Sequence, residues 1–442
     1  MSRTEFATEI KALLKLAAPL SVAQLAQMMM GVVGTLAAGR LGVQALAAQA
    51  LGATTFALVL ITAYGLMAGI DPHVARAVGR GELDRAGAQW RQSLWVGLFG
   101  GMPLVALLWA APLGLRAMGQ EPGVVSDTAA YLHTAAPGLI PAMWYASTRS
   151  FCSAVGHPRP VMVVAVLANV LNAVLAFWWV DLGWGLPGIA AASLLCRLVM
   201  AGSLIAWVQV SPVFARMRGP WNLPEWRELR PQLLSGLPLA IQFGLEVTGF
   251  VLITLWAGLL GTAVLAAHEV AMSIASLAFQ VPFSLGTAAA MRVGIAVGSR
   301  NPNGIRRAGW TAFGLAGAFA VLSGVAMLAG RGWLAAQYLP KADAAVVELT
   351  MHFLVFAAAF QVADGLQAVG FGVLRGLDDT RVPMWFNVLG FALLGLPMSY
   401  VLVFRLGQPA DRLWWGLSLA LAVIAAALML RFRAMTRRFA RV

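Results

Sequence analysis

The chain has 442 residues, 60% of them hydrophobic and only 11% charged, with a mean hydropathy of +0.78. That composition excludes an ordinary soluble domain. A net charge of +13 leaves nucleic acid or a membrane surface as partner, and the placement of the charges, given below, excludes nucleic acid.

Apolar runs near the ~20 residues that a helix needs to cross a bilayer recur along the whole chain. They predict twelve spans: Leu13–Ala38, Val43–Ala68, Leu94–Leu115, Ala129–Phe151, Val161–Val180, Pro187–Val208, Leu233–Trp256, Val264–Ala290, Thr311–Ala329, Val346–Val373, Pro383–Phe404 and Leu413–Leu430. The first run is too long, and lacks a small-residue cleavage site, for a removable signal. Lys and Arg gather at the N-terminus, in the loops after even-numbered spans and at the C-terminus; Arg149 and Arg159 are assigned to the loop after the fourth span. The alternate loops hold only Arg40, Arg116, Arg331, Lys341, Arg405 and Arg412, and Arg197 lies inside a span. This positive-inside asymmetry puts both termini in the cytoplasm, as an even span count requires, and sets the tail Arg431–Arg441 against anionic lipid. Cys152 and Cys196 match no metal or redox spacing and count as small apolar residues.

The second half of the chain repeats the first. Pro19-Leu20 pairs with Pro238-Leu239, Leu46-Ala47-Ala48 with Leu265-Ala266-Ala267, Arg85-Ala86-Gly87 with Arg307-Ala308-Gly309, and Arg159 and Met162 with Arg381 and Met384. A repeat this long predicts a duplicated architecture. Each copy holds six spans, an even number, so both enter the membrane from the same side. The expected fold is an all-α integral membrane protein: two six-helix bundles related by a pseudo-two-fold axis along the membrane normal, enclosing a central cavity, as in transporters. The lobes are assigned to residues 1–210 and 232–442, with the Arg- and Pro-rich segment 211–231 as a cytoplasmic linker.

Carboxylates at bilayer depth are costly and are kept mainly where ions, protons or substrates pass. Two stand inside predicted spans, Glu246 and Asp364. Gln242, Glu246 and Phe250 share a helix face, as do Phe360 and Asp364, with Gln361 and Gln367 beside them. Carboxylate and amide oxygens suit Na⁺ or a titrating proton, and aromatic faces suit an organic cation. The competing reading is protonated carboxyls hydrogen-bonded between helices. In the first half, Gln24 and Gln27 share a face of span one, Asn169 and Asn172 lie on span five, and Met28, Met29 and Met30 offer an adaptable apolar surface. His268 and Glu269 are expected at the outer end of spans seven and eight, solvating a helix start, with a proton relay as the alternative reading. Asp71, Arg76, Arg292, Arg375 and Asp378-Asp379 read as caps and loop ion pairs. A membrane-embedded transferase would need a second acidic cluster, which the sequence does not supply.

Four stretches occur in order along nearly the whole chain: PLSVAQLAQMMMGVVGTLAAGR (Pro19–Arg40), RSFCSAVGHPRPVM (Arg149–Met162), Gly236–Gly298 with Glu246, Ala267-His268 and Arg292–Gly294, and FQVADGLQAVGFGVLRGLDDT (Phe360–Thr380). Together they resemble the multidrug and toxic compound extrusion (MATE) family, most closely its NorM-like branch. The resemblance implies a monomer in the bacterial inner membrane, no enzyme, with small organic, often cationic, compounds exported in exchange for inward Na⁺ or H⁺ and no cofactor besides that ion. It also implies that Glu246 and Asp364 are the cation-coupling carboxylates. Phe360 stands where the family often has Tyr, and Gly34, before Thr35, where it usually has Asp, so the C-terminal half must carry coupling. A lipid-linked oligosaccharide flippase of the same superfamily is the alternative.

Overall fold

The computed structural model describes residues 3–339 and 343–439; Lys341 and Arg441, counted above among the loop and tail charges, lie outside them. All regular structure among the described residues is helical. The first repeat runs through α1 (Arg3–Gly39), α2 (Val43–Ala68), α3 (Asp71–Gly79), α4 (Leu83–Ala117), α5 (Pro122–Ala135), α6 (Leu139–Ala154), α7 (Arg159–Asp181) and α8 (Gly185–Val210). The second runs through α9 (Trp226–Leu259), α10 (Thr262–Gly298), α11 (Pro302–Tyr338), α12 (Ala344–Gly376), α13 (Arg381–Leu389), α14 (Leu396–Tyr400) and α15 (Leu413–Phe439).

Eleven helical stretches among the described residues are long and apolar enough to cross a bilayer. The remaining predicted span, Ala129–Phe151, falls on α5 and α6, which a single 3₁₀ turn at Ala136–Gly138 separates. Pro137 in that turn has no N–H to give to the residue one turn back. The backbone nevertheless stays right-handed helical, with φ −56° at Ala136 and −65° at Leu139, so the crossing is interrupted in its hydrogen bonds and not in its path.

The chain forms two compact units: Pro19–Gly244, and the residues up to Ala18 together with those from Leu245 onward. Both divisions fall inside helices, α1 and α9, within seven residues of the repeat-related Pro19 and Pro238.

In the Pro19–Gly244 unit, α2 packs on α5 and α6, α4 on α6, and α8 on both α6 and α7. The segment 211–231 opens with a 3₁₀ turn, Pro212–Met217, and is strapped to the start of α4. Arg91 Nη1 donates to the Met217 carbonyl (2.9 Å), Gln92 Nε2 to that of Leu223 (3.0 Å) and Trp95 Nε1 to that of Asn222 (3.1 Å). A stretch with no helical partners for its carbonyls thus finds them in α4 side chains. The expected connector is a fixed part of this unit.

In the other unit, α10 packs on α11 and α12, and α12 on α15. The α10–α12 seam depends on glycine: a Cβ on Gly372 would run into the Gly286 carbonyl, and one on Gly286 would stand 2.6 Å from that of Ala368. Two backbones approach this closely only where neither carries a side chain. The predicted span Pro383–Phe404 departs from plain α-helix. After α13 the chain makes π-helical turns at Gly390–Gly395 and Val401–Arg405. Pro397 cannot donate into an α-helical ladder, and Gly390 and Gly395 lie against Ile424 and Ala420 of α15.

Candidate functional site

Glu246 and Asp364 lie in the same unit and come together. Glu246, on α9, is half-buried; Asp364, on α12, is 6% exposed. They are close enough for their charges to interact. Asn387 of α13, fully buried, hydrogen-bonds the Glu246 carboxylate. Sequence reasoning missed this residue, although it is the lone carboxamide of the predicted span 383–404.

Of the neighbours expected around the acids, Phe250 and Phe360 meet edge to face at 6.0 Å, and Phe360 continues to Trp414 at 5.2 Å. These rings form an apolar wall one helical turn from each carboxylate. Gln367 is 1% exposed, and neither its oxygen nor its nitrogen is hydrogen-bonded among the described residues. A buried carboxamide left that way has unspent coordinating capacity. Gln361 does otherwise, its Nε2 donating to the Ala320 carbonyl of α11 at 3.4 Å. Gln242 is fully buried one turn before Glu246 but falls in the Pro19–Gly244 unit.

His268 is not solvated. It is fully buried, with Trp414 Nε1 donating to its Nδ1 at 3.1 Å and Thr254 Oγ1 3.0 Å from its Nε2. No local pattern around His268 signals this, because Trp414 is remote in the chain.

In the Pro19–Gly244 unit the two glutamines of span one belong to a polar cluster. Arg149 Nη1 donates to Gln24 Oε1 at 2.7 Å, Gln27 Nε2 to the same oxygen at 3.2 Å, and the Tyr64 hydroxyl to Gln27 Oε1 at 3.1 Å. The Arg149 guanidinium also lies 5.8 Å from the Tyr64 ring centre. Arg149, assigned from sequence to a loop, is inside α6, within the predicted span itself. Asn172 Nδ2 donates to Ser193 Oγ at 3.3 Å, and no bond joins Asn169 or Asn172 to the glutamines. The methionines divide, Met30 buried and Met29 exposed. At Gly34 a Cβ would stand 3.1 Å from Gln49 Nε2, so the amide of Gln49 adjoins the space of the missing acid.

Asp379 pairs with Arg431 at 2.9 Å, an ion pair of the expected kind, and Cys152 and Cys196 are buried free thiols. Among the described residues no cluster of three or more His, Cys, Asp or Glu is placed to hold a metal. Two carboxylates within electrostatic reach of each other, with carboxamides at hand, suit a single monovalent cation or a proton instead.

The MatE family profile matches residues 19–178 and 238–401, the two copies of the repeat. The chain is 38% identical to a probable multidrug resistance protein NorM of Mesorhizobium japonicum over 437 residues, covering 96% of this chain and 93% of that one. It is 37% identical to the protein of the same name from Burkholderia mallei, covering 95% and 91%. Among solved structures it superposes on the eukaryotic MATE transporter AtDTX14 with a TM-score of 0.90 at 22% identity, covering 98% of both chains. The Vibrio cholerae MATE transporter VcmN in its bent form gives 0.87 at 19% identity, covering 99% of both.

Proposed function

This chain belongs to the MatE family, a membrane transporter rather than an enzyme, and from that premise we propose that it exports small organic compounds, drugs or metabolites, in exchange for inward Na⁺ or H⁺ by alternating access. The relatives in Mesorhizobium and Burkholderia are named as multidrug resistance proteins, which supports the cargo class. In this reading the chain works as a monomer in the bacterial inner membrane with both termini in the cytoplasm.

The observation that carries the coupling is that Glu246 and Asp364 lie within reach of each other's charge, with Asn387 on the Glu246 carboxylate. Two carboxylates within reach of each other repel when both are ionised, and an entering Na⁺ or proton removes that repulsion. Occupied and empty states then favour different conformations, as a bistable transporter needs. Asn387 orients one carboxylate, and Gln367 is placed one turn along α12 from the other. The driving force is sufficient: an inward monovalent cation gains about 2.3 kcal/mol per 100 mV of membrane potential.

The test is dye transport, with ethidium and rhodamine B, in inverted vesicles under separately imposed Na⁺ and proton gradients. Wild type transports under one gradient or both. Glu246→Gln and Asp364→Asn express normally and do not. Near-wild-type transport by either variant overturns the assignment.

A further inference from the structure

The segment that joins the two repeats exposes more apolar surface than a connector bathed in water would. Trp221, Leu223 and Trp226 are 57%, 79% and 66% exposed. Between them and around them stand Arg216, Arg218, Arg227 and Arg230, against only Glu225 and Glu228. All four arginines are exposed, and none is in an ion pair among the described residues.

Hydrogen bonds from α4 fix the height at which this surface lies. Gln92 holds the chain on either side of Pro224: its Nε2 donates to the Leu223 carbonyl, and its Oε1 accepts from the Glu225 N–H at 3.1 Å. Trp95 Nε1 donates to the Asn222 carbonyl. Trp95 heads the predicted span Leu94–Leu115, so the segment is pinned where α4 enters hydrocarbon. The Trp95 ring stacks on Phe99 at 5.7 Å and opens a stripe continued by Met102, Trp109 and Leu113. Phe99, Met102, Trp109 and Leu113 are between 48% and 67% exposed, and at 3.6 residues per turn all five positions share one helix face. On a spanning helix an exposed apolar face is the face turned to lipid. Asn222 stands at the end of that stripe, and Leu223 beside it extends the same apolar surface.

Tryptophan favours the boundary between headgroups and acyl chains, and arginine beside it attracts anionic headgroups. A soluble partner would have to displace lipid from a surface held at bilayer height, so lipid is the occupant the geometry favours. We propose that residues 218–230 form an interfacial anchor: Leu223 and Trp226 enter the headgroup–acyl boundary, while Arg227 and Arg230 bind the phosphates of anionic lipids in preference to zwitterionic ones. The anchor moors the start of α9, the helix that carries Glu246, to the bilayer surface. This inference is independent of the cargo and of the coupling ion.

The experiment uses the full-length protein in nanodiscs, with the fluorophore NBD attached to Leu223→Cys. Cys152 and Cys196 are buried and stay unlabelled, and the hydrogen bond at position 223 involves only the backbone carbonyl, so the variant folds. Quenchers are phosphatidylcholine or phosphatidylglycerol with a nitroxide on the acyl chain, at equal mole fraction, and iodide in the water. The expected result is strong quenching by the lipids and weak quenching by iodide, with phosphatidylglycerol about threefold more effective than phosphatidylcholine at low salt. In 1 M salt, and in the Arg227→Gln, Arg230→Gln double variant, that advantage falls to near unity. Where the double variant does not fold, Arg227→Gln alone roughly halves the advantage. Trp226→Ser weakens quenching by both lipids about twofold. Strong iodide quenching with none from the lipids overturns the proposal, leaving the segment to water and soluble partners. Equal quenching by the two lipids in wild type, or an undiminished phosphatidylglycerol advantage in the arginine variants, also overturns it. A label shielded from lipid and iodide alike with two copies per disc, but open to iodide with one, overturns it in favour of a contact between copies.

Discussion

Arg292 grips Glu9 with both arms: Nε donates to Oε1 and Nη2 to Oε2, each at 2.8 Å. Arg307 adds a third bond to the same carboxylate at 3.3 Å. Glu9 is 2% exposed, so its charge is held almost entirely by these two side chains. The contact ties the start of α1 to α10 and α11 across most of the sequence. Together with Leu13, Leu16 and Ala17 in the apolar core of that unit, it explains why the residues before Pro19 pack with the second repeat.

Glu9→Gln is therefore expected to lower stability by about 2 kcal/mol. Removing one member of a fully buried pair costs roughly 3–5 kcal/mol, and the partial exposure of Arg292 and Arg307, 31% and 28%, allows water to take over part of the loss. Thermal unfolding in detergent measures it. A Glu9→Gln, Arg292→Gln double-mutant cycle with no coupling energy would show that the fork is ornamental.

Asn387 and Gln361 offer a paired prediction about the acids. Both are buried carboxamides within one unit, but Asn387 touches Glu246 whereas Gln361 turns to the Ala320 carbonyl. Asn387→Leu is expected to raise the cation concentration for half-maximal dye transport about tenfold, the scale on which partners that orient an ion's ligands act. Gln361→Leu is expected to change stability and leave that concentration within about twofold. Ion titration of transport in vesicles distinguishes them, and an equal effect of the two variants would remove Asn387 from the coupling chemistry.

The spans, the duplication and the two acids were legible because each leaves a local mark: hydropathy over one helix length, repeated motifs, or a charge in an apolar run. Asn387, Tyr64 and Arg149 were not singled out, because a polar residue in a span announces a site only when its neighbours are known. Arg149 is instructive. Its place near the end of α6 made it look like one more basic loop residue, and only the approach of Gln24 from α1 and Tyr64 from α2 shows that it belongs to an interior cluster. Gln361 shows the reverse: it stands beside Asp364 in sequence yet is turned toward another helix by a hydrogen bond that periodicity does not encode.

His268 is expected to play no part in proton transfer. The Trp414 indole N–H can only donate, so His268 Nδ1 must accept its bond, and the ring's one proton sits on Nε2, facing Thr254. A second proton would destroy the Trp414 bond in a fully buried place. His268→Gln should thus cost about 1–3 kcal/mol in stability through unmatched buried polar groups while leaving the shape of the pH profile of transport unaltered. A shifted inflection in that profile, measured at matched protein levels, would return His268 to the proton path.

Gly34→Asp tests whether the second repeat carries coupling alone. A Cβ at Gly34 meets Gln49 Nε2 at 3.1 Å and Ile189 Cγ2 at 3.6 Å. Gln49 is 1% exposed, and Thr35 Oγ1 donates to its Oε1 at 3.4 Å. The new side chain therefore fits only if the Gln49 amide yields by a few tenths of an ångström, at a cost of about 1–3 kcal/mol for an overpacked site, part of which an amide-to-carboxylate hydrogen bond returns. The protein should fold with slightly lower thermal stability. Its ion dependence should remain that of wild type, because Glu246 and Asp364 are untouched, and the double variant Gly34→Asp, Glu246→Gln should be as inactive as Glu246→Gln alone. Restored cation-driven transport in that double variant would mean that a carboxylate on α1 suffices for coupling, and the assignment to the second repeat would fall.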